Sequence, residues 1–131
     1  MRNYFFSARS RAILDSVHPD LQSIAERALS KSKIDFGIPK TGGLRTADFQ
    51  HSLYLKGMSK ADGYVKQSAH QSGNALDFYA FVDGKASWEK EHLAHVACAF
   101  FEAASELNIR IRWGGLFTTI DDYPHIELVP E

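Results

Sequence analysis

The chain of 131 residues contains a single cysteine, which removes two possibilities at once. Cys98 has no partner for an internal disulfide, and no cysteine-rich zinc site can be assembled. Any metal must be held by histidine and carboxylate. Long apolar runs are also missing, and no segment approaches the roughly 18 apolar residues of a membrane span. The opening Met1-Arg2-Asn3-Tyr4-Phe5-Phe6 has no apolar stretch behind its charge. No secretory leader is expected, and the chain is expected to be made in the cytoplasm. Charge of one sign is not in excess either, with 15 Lys and Arg against 16 Asp and Glu. That balance argues against an electrostatic grip on nucleic acid or on an anionic membrane. Internal repeats, low-complexity tracts and linkers are absent. One domain over residues 1–131, without an appended module, is therefore expected, as a monomer.

What is present suffices for a packed core: 44% of residues are hydrophobic and 12% aromatic. Cys98, in the apolar run Ala97-Cys98-Ala99-Phe100, reads as a small core residue. Residues 7–31 read as helical, with Pro19 suited to a first turn. Leu21, Ile24, Ala25, Ala28 and Leu29 form one apolar stripe. Residues 34–38 suggest a short strand, Thr41-Gly42-Gly43 a turn, and Thr46 the start of a short helix. Residues 56–73 read mostly as loop. Over residues 75–82, Leu76, Phe78, Ala80 and Val82 alternate with Asp77, Tyr79 and Phe81, the pattern of one strand. Asp83-Gly84 is a turn. Ser87 suits the cap of a long helix with core stripe Leu93, Val96, Ala97, Phe100, Phe101 and Ala104, ending at Asn108. Residues 109–113 and 126–129 read as further strands. The fold class is α+β, a small antiparallel sheet packed against helices.

Two of the six histidines sit where carboxylates and turns converge. The first group is Ser68-Ala69-His70-Gln71-Ser72-Gly73-Asn74-Ala75-Leu76-Asp77. The second is Asp121-Asp122-Tyr123-Pro124-His125-Ile126-Glu127, in which Pro124 fixes the backbone before His125. If their strands are neighbours, His70, Asp77 and His125 meet at one point. Two imidazoles and a carboxylate form a catalytic type of zinc site, with a fourth position left for water. Asp122, three residues before His125, is placed to move a proton to and from that water. On spacing alone, a histidine beside an aspartate is also an ordinary hydrogen-bonded pair.

The motif Ser68-x-His70-x-x-Gly73-x-Ala75-x-Asp77, followed by Asp122-x-Pro124-His125-x-Glu127, resembles the D-alanyl-D-alanine carboxypeptidase and L-alanyl-D-glutamate peptidase superfamily. That superfamily includes the vancomycin-resistance dipeptidases and many phage endolysins. The endolysin branch is matched more closely, through His18-Pro19-Asp20-Leu21, Ile34-Asp35-Phe36, Gly43-Leu44-Arg45-Thr46, Gln50, Gly57-x-Ser59-Lys60 and Arg112-Trp113-Gly114-Gly115. The resemblance spans about residues 6–129. It implies a hedgehog/D,D-peptidase-like fold and one zinc per chain on His70, Asp77 and His125. It further implies Asp122 as general base and acid, and Arg45, Gln50 and Ser68 at the substrate. Arg45 suits a substrate carboxylate or a developing oxyanion. The implied activity is hydrolysis of a peptidoglycan stem-peptide bond, between L-alanine and D-glutamate, with no separate cell-wall-binding module. A phage or prophage origin and a holin-made route to the wall are implied with it. Leu116-Phe117 departs from the pattern, where an acid and Trp often follow Trp-Gly-Gly. That puts wall-peptide specificity and any auxiliary cation site in question.

Each assignment has a plainer counterpart. Asp122 is alternatively a turn cap, with Asp121 the functional acid. Arg45 is alternatively a buried ion pair, and Gln50 and Ser68 loop hydrogen-bonding groups. His92 and His95 lack the spacing of a zincin helix and read as surface residues, and His18 and His51 as structural. Trp113 is either a cleft wall or a core residue. Glu127 shares a strand face with His125 and is a candidate hydrogen-bond partner for it. Rival functions are a D-alanyl-D-alanine carboxypeptidase or dipeptidase, and a non-catalytic zinc-containing wall-binding module.

Overall fold

The computed structural model describes residues 4–117 and 121–130. Residues 1–3, the start of the segment read above as lacking a leader, lie outside the described residues. The helix expected over 7–31 is two helices, α1 (Ala8–Leu14) and α2 (Pro19–Lys31). The break follows from Pro19, which cannot donate into a preceding turn but fits the first turn of α2. His18 caps α2, its Nδ1 accepting the Asp20 N–H at 2.9 Å. The α2 stripe of Leu21, Ile24, Ala25, Ala28 and Leu29 is buried as expected. It packs against the longest helix, α4 (Lys90–Leu107).

Strand β1 (Asp35–Gly37) lies where expected, and Thr46 caps α3 (Ala47–Leu55) by accepting the Phe49 N–H at 3.1 Å. Within the expected loop, Ala69–Ser72 forms a 3-10 turn. Residues 75–82 depart from the single strand expected. They form β2 (Ala75–Asp77) and β3 (Tyr79–Val82), in different sheets. The inward alternation persists across the break, since Leu76, Phe78 and Ala80 are all fully buried. At Phe78 the backbone leaves its sheet partners, and its N–H donates to the Pro124 carbonyl at 2.8 Å. Phe78 stacks on Phe100 of α4 at 5.2 Å and meets Phe36 of β1 edge-on at 6.3 Å. That aromatic cluster joins both sheets to the helices.

Asp83 and Gly84 turn the chain with φ of 53° and 77°, and lead into β4 (Lys85–Ser87), a strand the sequence pattern did not suggest. Strands β5 (Ile111–Trp113) and β6 (His125–Leu128) complete the set. One antiparallel sheet runs β1-β3-β4 and the other β2-β6-β5. The expected antiparallel pairing is thus divided between two small sheets.

Three smaller expectations are corrected around α4. Ser87 ends β4 rather than capping the helix, whose cap position is Glu89 with no side-chain bond. The Ser87 hydroxyl instead meets His92 Nδ1 at 2.7 Å. Cys98 and Phe101 are exposed, not in the core. The buried arc is centred on Val96, Ala97, Phe100 and Ala104. At about 100° per residue, Cys98 and Phe101 fall outside it. Asn108 ends the helix in the left-handed conformation, φ 58°, as expected. No helix is long and apolar enough to cross a membrane among the described residues.

Candidate active site

The register of the β2-β6 pair decides the geometry of the site. Asp77 stands directly opposite His125. His70 reaches the same point from the 3-10 turn before β2. The nearest ligand atoms of His70, Asp77 and His125 lie within 4.8 Å of one another. Both His70 Nε2 and His125 Nδ1 are 3.2 Å from Asp77 Oδ1.

The far side of each imidazole fixes its tautomer. His70 Nδ1 faces the Gly43 carbonyl at 3.0 Å, and His125 Nε2 faces Glu127 Oε1 at 2.7 Å. Both partners are acceptors, so each of these nitrogens carries the ring proton. In the neutral rings the inner nitrogens are then lone pairs. Two lone pairs and a carboxylate oxygen converge in a nearly dry place, an arrangement that could hold a cation. The donor set therefore fits a metal ion. Without one, a proton serves. Burial alone would lower the pKa of His125, but the bonds to Asp77 and Glu127 outweigh it and push it up to about 9. Burial alone would raise Asp77, yet its bonds to His125 and His70 hold it well below the usual carboxylate range.

Neighbouring groups hold these three side chains in place. Asp77 gives its second oxygen to Arg45, whose Nη2 donates to Oδ2 at 3.1 Å. Arg45 also donates Nε–H to the Thr41 carbonyl at 3.0 Å and Nη1–H to Gln50 Oε1 at 3.2 Å. The backbone of the Gly42-Gly43 turn serves both Asp77 and His70. Gly42 accepts the Asp77 N–H at 2.9 Å, and Gly43 accepts from His70. The sequence reading marked this turn but not its contact with the ligands, because a carbonyl acceptor leaves no signature in residue type.

Gln50 is not on the cleft wall, contrary to expectation. Its side chain is fully buried, donating to Ser59 Oγ at 2.8 Å and the Ala61 carbonyl at 3.1 Å while accepting from Arg45. A fully buried amide with both N–H donors used inward supports Arg45 rather than reaching into the cleft. Ser68 caps the 3-10 turn, with Oγ accepting the His70 N–H at 3.2 Å and its own N–H donating to Gln71 Oε1 at 2.8 Å. Asp122 lies at the rim. Its Oδ2 is 3.8 Å from His125 Nδ1, and its side chain is 47% exposed. Burial, then the charge of Asp77, raise its pKa. Asp121 is exposed beside it.

Phe117 packs on the His125 ring at 5.8 Å. Trp113 donates its indole N–H to the Tyr123 carbonyl at 2.7 Å, tying the end of β5 to the segment that carries Asp122. His18 and His51 are structural, the latter with Nδ1 2.8 Å from the Asp62 carbonyl. His92 is half-buried and His95 exposed, away from the ligand cluster.

The family model for phage L-alanyl-D-glutamate peptidases matches residues 2–129. The chain belongs to that family. Among curated relatives, the L-alanyl-D-glutamate peptidase of Escherichia phage T5 is 34% identical over 122 residues, covering 92% of this chain and 87% of the relative. The peptidoglycan L-alanyl-D-glutamate endopeptidase CwlK of Bacillus subtilis (strain 168) is 30% identical over 127 residues, covering 87% and 74% respectively. Among solved structures, the Serratia marcescens L-Ala D-Glu endopeptidase ChiX superposes with a TM-score of 0.84 at 35% identity, over 95% of this chain and 90% of that one. Membership of the L-alanyl-D-glutamate peptidase family accounts for the two-sheet fold as well as the motifs, since the likeness to ChiX extends over nearly the whole chain.

Proposed function

We propose that this protein is a zinc-dependent peptidoglycan endopeptidase that hydrolyses the L-alanyl-D-glutamate bond of the stem peptide. The observation that carries the reading is the convergence of His70 Nε2, Asp77 Oδ1 and His125 Nδ1 beside a half-exposed Asp122, in a chain of this family. Those three residues would hold one zinc, which when bound supplies a Lewis acid for a peptide carbonyl and a water of lowered pKa. Asp122 takes the proton of the attacking water and returns it to the departing amine. Its raised pKa suits a group that must both accept and release a proton. Arg45 and Gln50 hold Asp77 in place, and Ser68 orients the turn that carries His70. In this reading the chain acts as one catalytic domain and as a monomer. It reaches the wall after holin-type release, as an endolysin does.

The test is digestion of purified peptidoglycan with and without a chelator, with new termini identified by mass spectrometry. New N-terminal D-glutamate, lost on chelation and restored by zinc, is expected. Released D-alanine would move the enzyme to the carboxypeptidase side of the superfamily. Bound zinc with no new termini would leave a non-catalytic wall-binding module.

A further inference from the structure

A trough of about 690 Å³ opens beside the ligand-bearing strand β6, with Asp20, Asn74, Asn108, Arg110, Arg112 and Glu127 among its walls. Glu127 lines this trough and also touches one member of the converging trio, His125. Its Oε1 meets His125 Nε2 at 2.7 Å, and its Oε2 accepts from Arg112 Nη2 at 2.8 Å. Two hydrogen bonds and one carboxyl group span about 8 Å, which bounds the distance from the Arg112 guanidinium to the His125 ring. Arg112 stands opposite Glu127 in the β5-β6 register, and its side chain is 52% exposed. Glu127 engages one of its five N–H donors, and the others have no partner among the described residues. Arg110, just before β5, lines the same trough, and its carbonyl accepts the Val129 N–H at 3.0 Å. Arg110 is exposed and has no ion-pair partner among the described residues.

The chemistry of the proposed substrate differs on the two sides of the scissile bond. A glutamate inside a peptide uses one carboxyl for the onward link and leaves the other ionised. That free carboxylate sits one to two residue lengths from the scissile carbonyl, roughly 4–7 Å. One hydrogen bond of about 3 Å extends that to roughly 7–10 Å, comparable with the path of at most about 10 Å from the Nδ1 edge of His125 across its ring and Glu127 to the Arg112 fork, and a guanidinium fork is the side chain best matched to a carboxylate.

We propose that this trough seats the glutamate side of the cleaved peptide, with Arg112 receiving the free carboxylate of D-glutamate and Arg110 extending the cationic wall. The proposal rests on the L-alanyl-D-glutamate reading above. Arg112 thereby sets specificity, in addition to fixing Glu127 against His125.

The experiment is calorimetric binding of two product peptides to the zinc-loaded protein. One begins with D-glutamate bearing its free α-carboxylate, and the other carries a carboxamide there. The carboxylate peptide is expected to bind about 10-fold tighter or more, the range of a charge-assisted hydrogen bond. Arg112→Gln is expected to erase that preference, and Arg110→Gln to reduce it about threefold. A residue acting only through Glu127 and His125 would weaken both peptides equally and keep the ratio. That result, or equal affinities in the unaltered protein, overturns the proposal. Cleavage of the intact bond is measured separately. Cleavage without discrimination removes the trough and leaves the function standing, whereas discrimination without cleavage does the reverse.

Discussion

Arg45 and Asp77 form a 3.1 Å ion pair that occupies one carboxylate oxygen and leaves the other to the two imidazoles. The ion pair is nearly buried, with 12% and 17% of the side chains exposed. It therefore fixes which oxygen faces the two imidazoles.

The first prediction concerns that orientation. Arg45→Met frees Asp77 to rotate and should weaken zinc binding about 10- to 100-fold, the usual cost of losing a group that orients a ligand. Arg45→Lys should not restore it, because an ammonium cannot reproduce the planar fork that spans Thr41, Gln50 and Asp77. Competition with a chromophoric chelator measures the affinity. An unchanged constant in Arg45→Met would show that Asp77 is held by the backbone alone.

The second prediction is a pH dependence. Asp77 is depressed below its ordinary 3.8, so its contribution to stability is present above that value and fades as pH falls. His125 is raised from 6.5 to about 9, so its contribution is complete below 6.5 and is lost as pH rises through about 9. The metal-free protein should therefore be most stable between about pH 4 and 6.5 and melt at lower temperature by pH 9. Zinc must displace the His125 proton. Its apparent affinity should rise about tenfold per pH unit up to about 9. Thermal melts with chelator, and zinc titrations at three pH values, check both signs. A metal-free melting temperature that climbs from pH 6 to 9 would contradict the assignment.

The convergence of His70, Asp77 and His125 was legible in the sequence because these are residue types with few alternative uses in that order. The buried face of α2 was legible because its stripe repeats often enough to average out local noise. The misreadings share a physical origin. Alternation over 75–82 reports which side chains point inward, and it kept reporting this correctly while the backbone changed sheets at Phe78. The change of partner depends on Pro124, far away in sequence. Gln50 was misplaced because a polar residue in a cleft motif and one buried under it look alike until its partners Ser59 and Ala61 are known. Cys98 was drawn inward by apolar neighbours that face the core only because of their angle on α4.

The third prediction separates chemistry from metal binding. Asp122 is not one of the three converging ligands, and its Oδ2 lies 3.8 Å from His125 Nδ1. Asp122→Asn should retain zinc with unchanged affinity while the hydrolysis rate falls about 10²- to 10⁴-fold, the contribution of a positioned acid-base group. Zinc content by metal analysis and turnover on a stem-peptide substrate are the two readouts. Full activity in this variant would transfer the proton-moving role to Asp121 or remove it from this loop.

The fourth prediction concerns the hinge between the sheets. Phe78 is fully buried between Phe36 and Phe100 and immediately follows the ligand Asp77. Phe78→Ala should cost about 3–5 kcal/mol of stability, as for other buried aromatic truncations. Because the cavity adjoins Asp77, zinc affinity should fall as well. Phe81→Ala, at an exposed position of β3, should leave both unchanged within about 0.5 kcal/mol. A similar loss in the two variants would remove the special status of the Phe78 position.

The last prediction explains the glycine pair after Trp113. Gly114 accepts the Asp122 N–H at 2.9 Å, so the two backbones run in contact. A side chain at Gly114 would strike the Asp122 carbonyl oxygen and lie 2.9 Å from its Cβ. Backbone cannot yield as a flexible side chain does, so Gly114→Ala must push the Asp122 segment outward. Displacing a proton-transfer group by about 1 Å can cost on the order of 100-fold in rate. The ligands His70 and Asp77 are not touched by that clash. Gly114→Ala should therefore resemble Asp122→Asn, with activity lost and most zinc binding kept. The contrast with Gly115→Ala is informative, because the atoms a side chain there meets first belong to the Trp113 ring, not to the Asp122 backbone. Equal activity in Gly114→Ala and the unaltered protein would mean that Asp122 tolerates displacement, which a directly acting acid-base group cannot do.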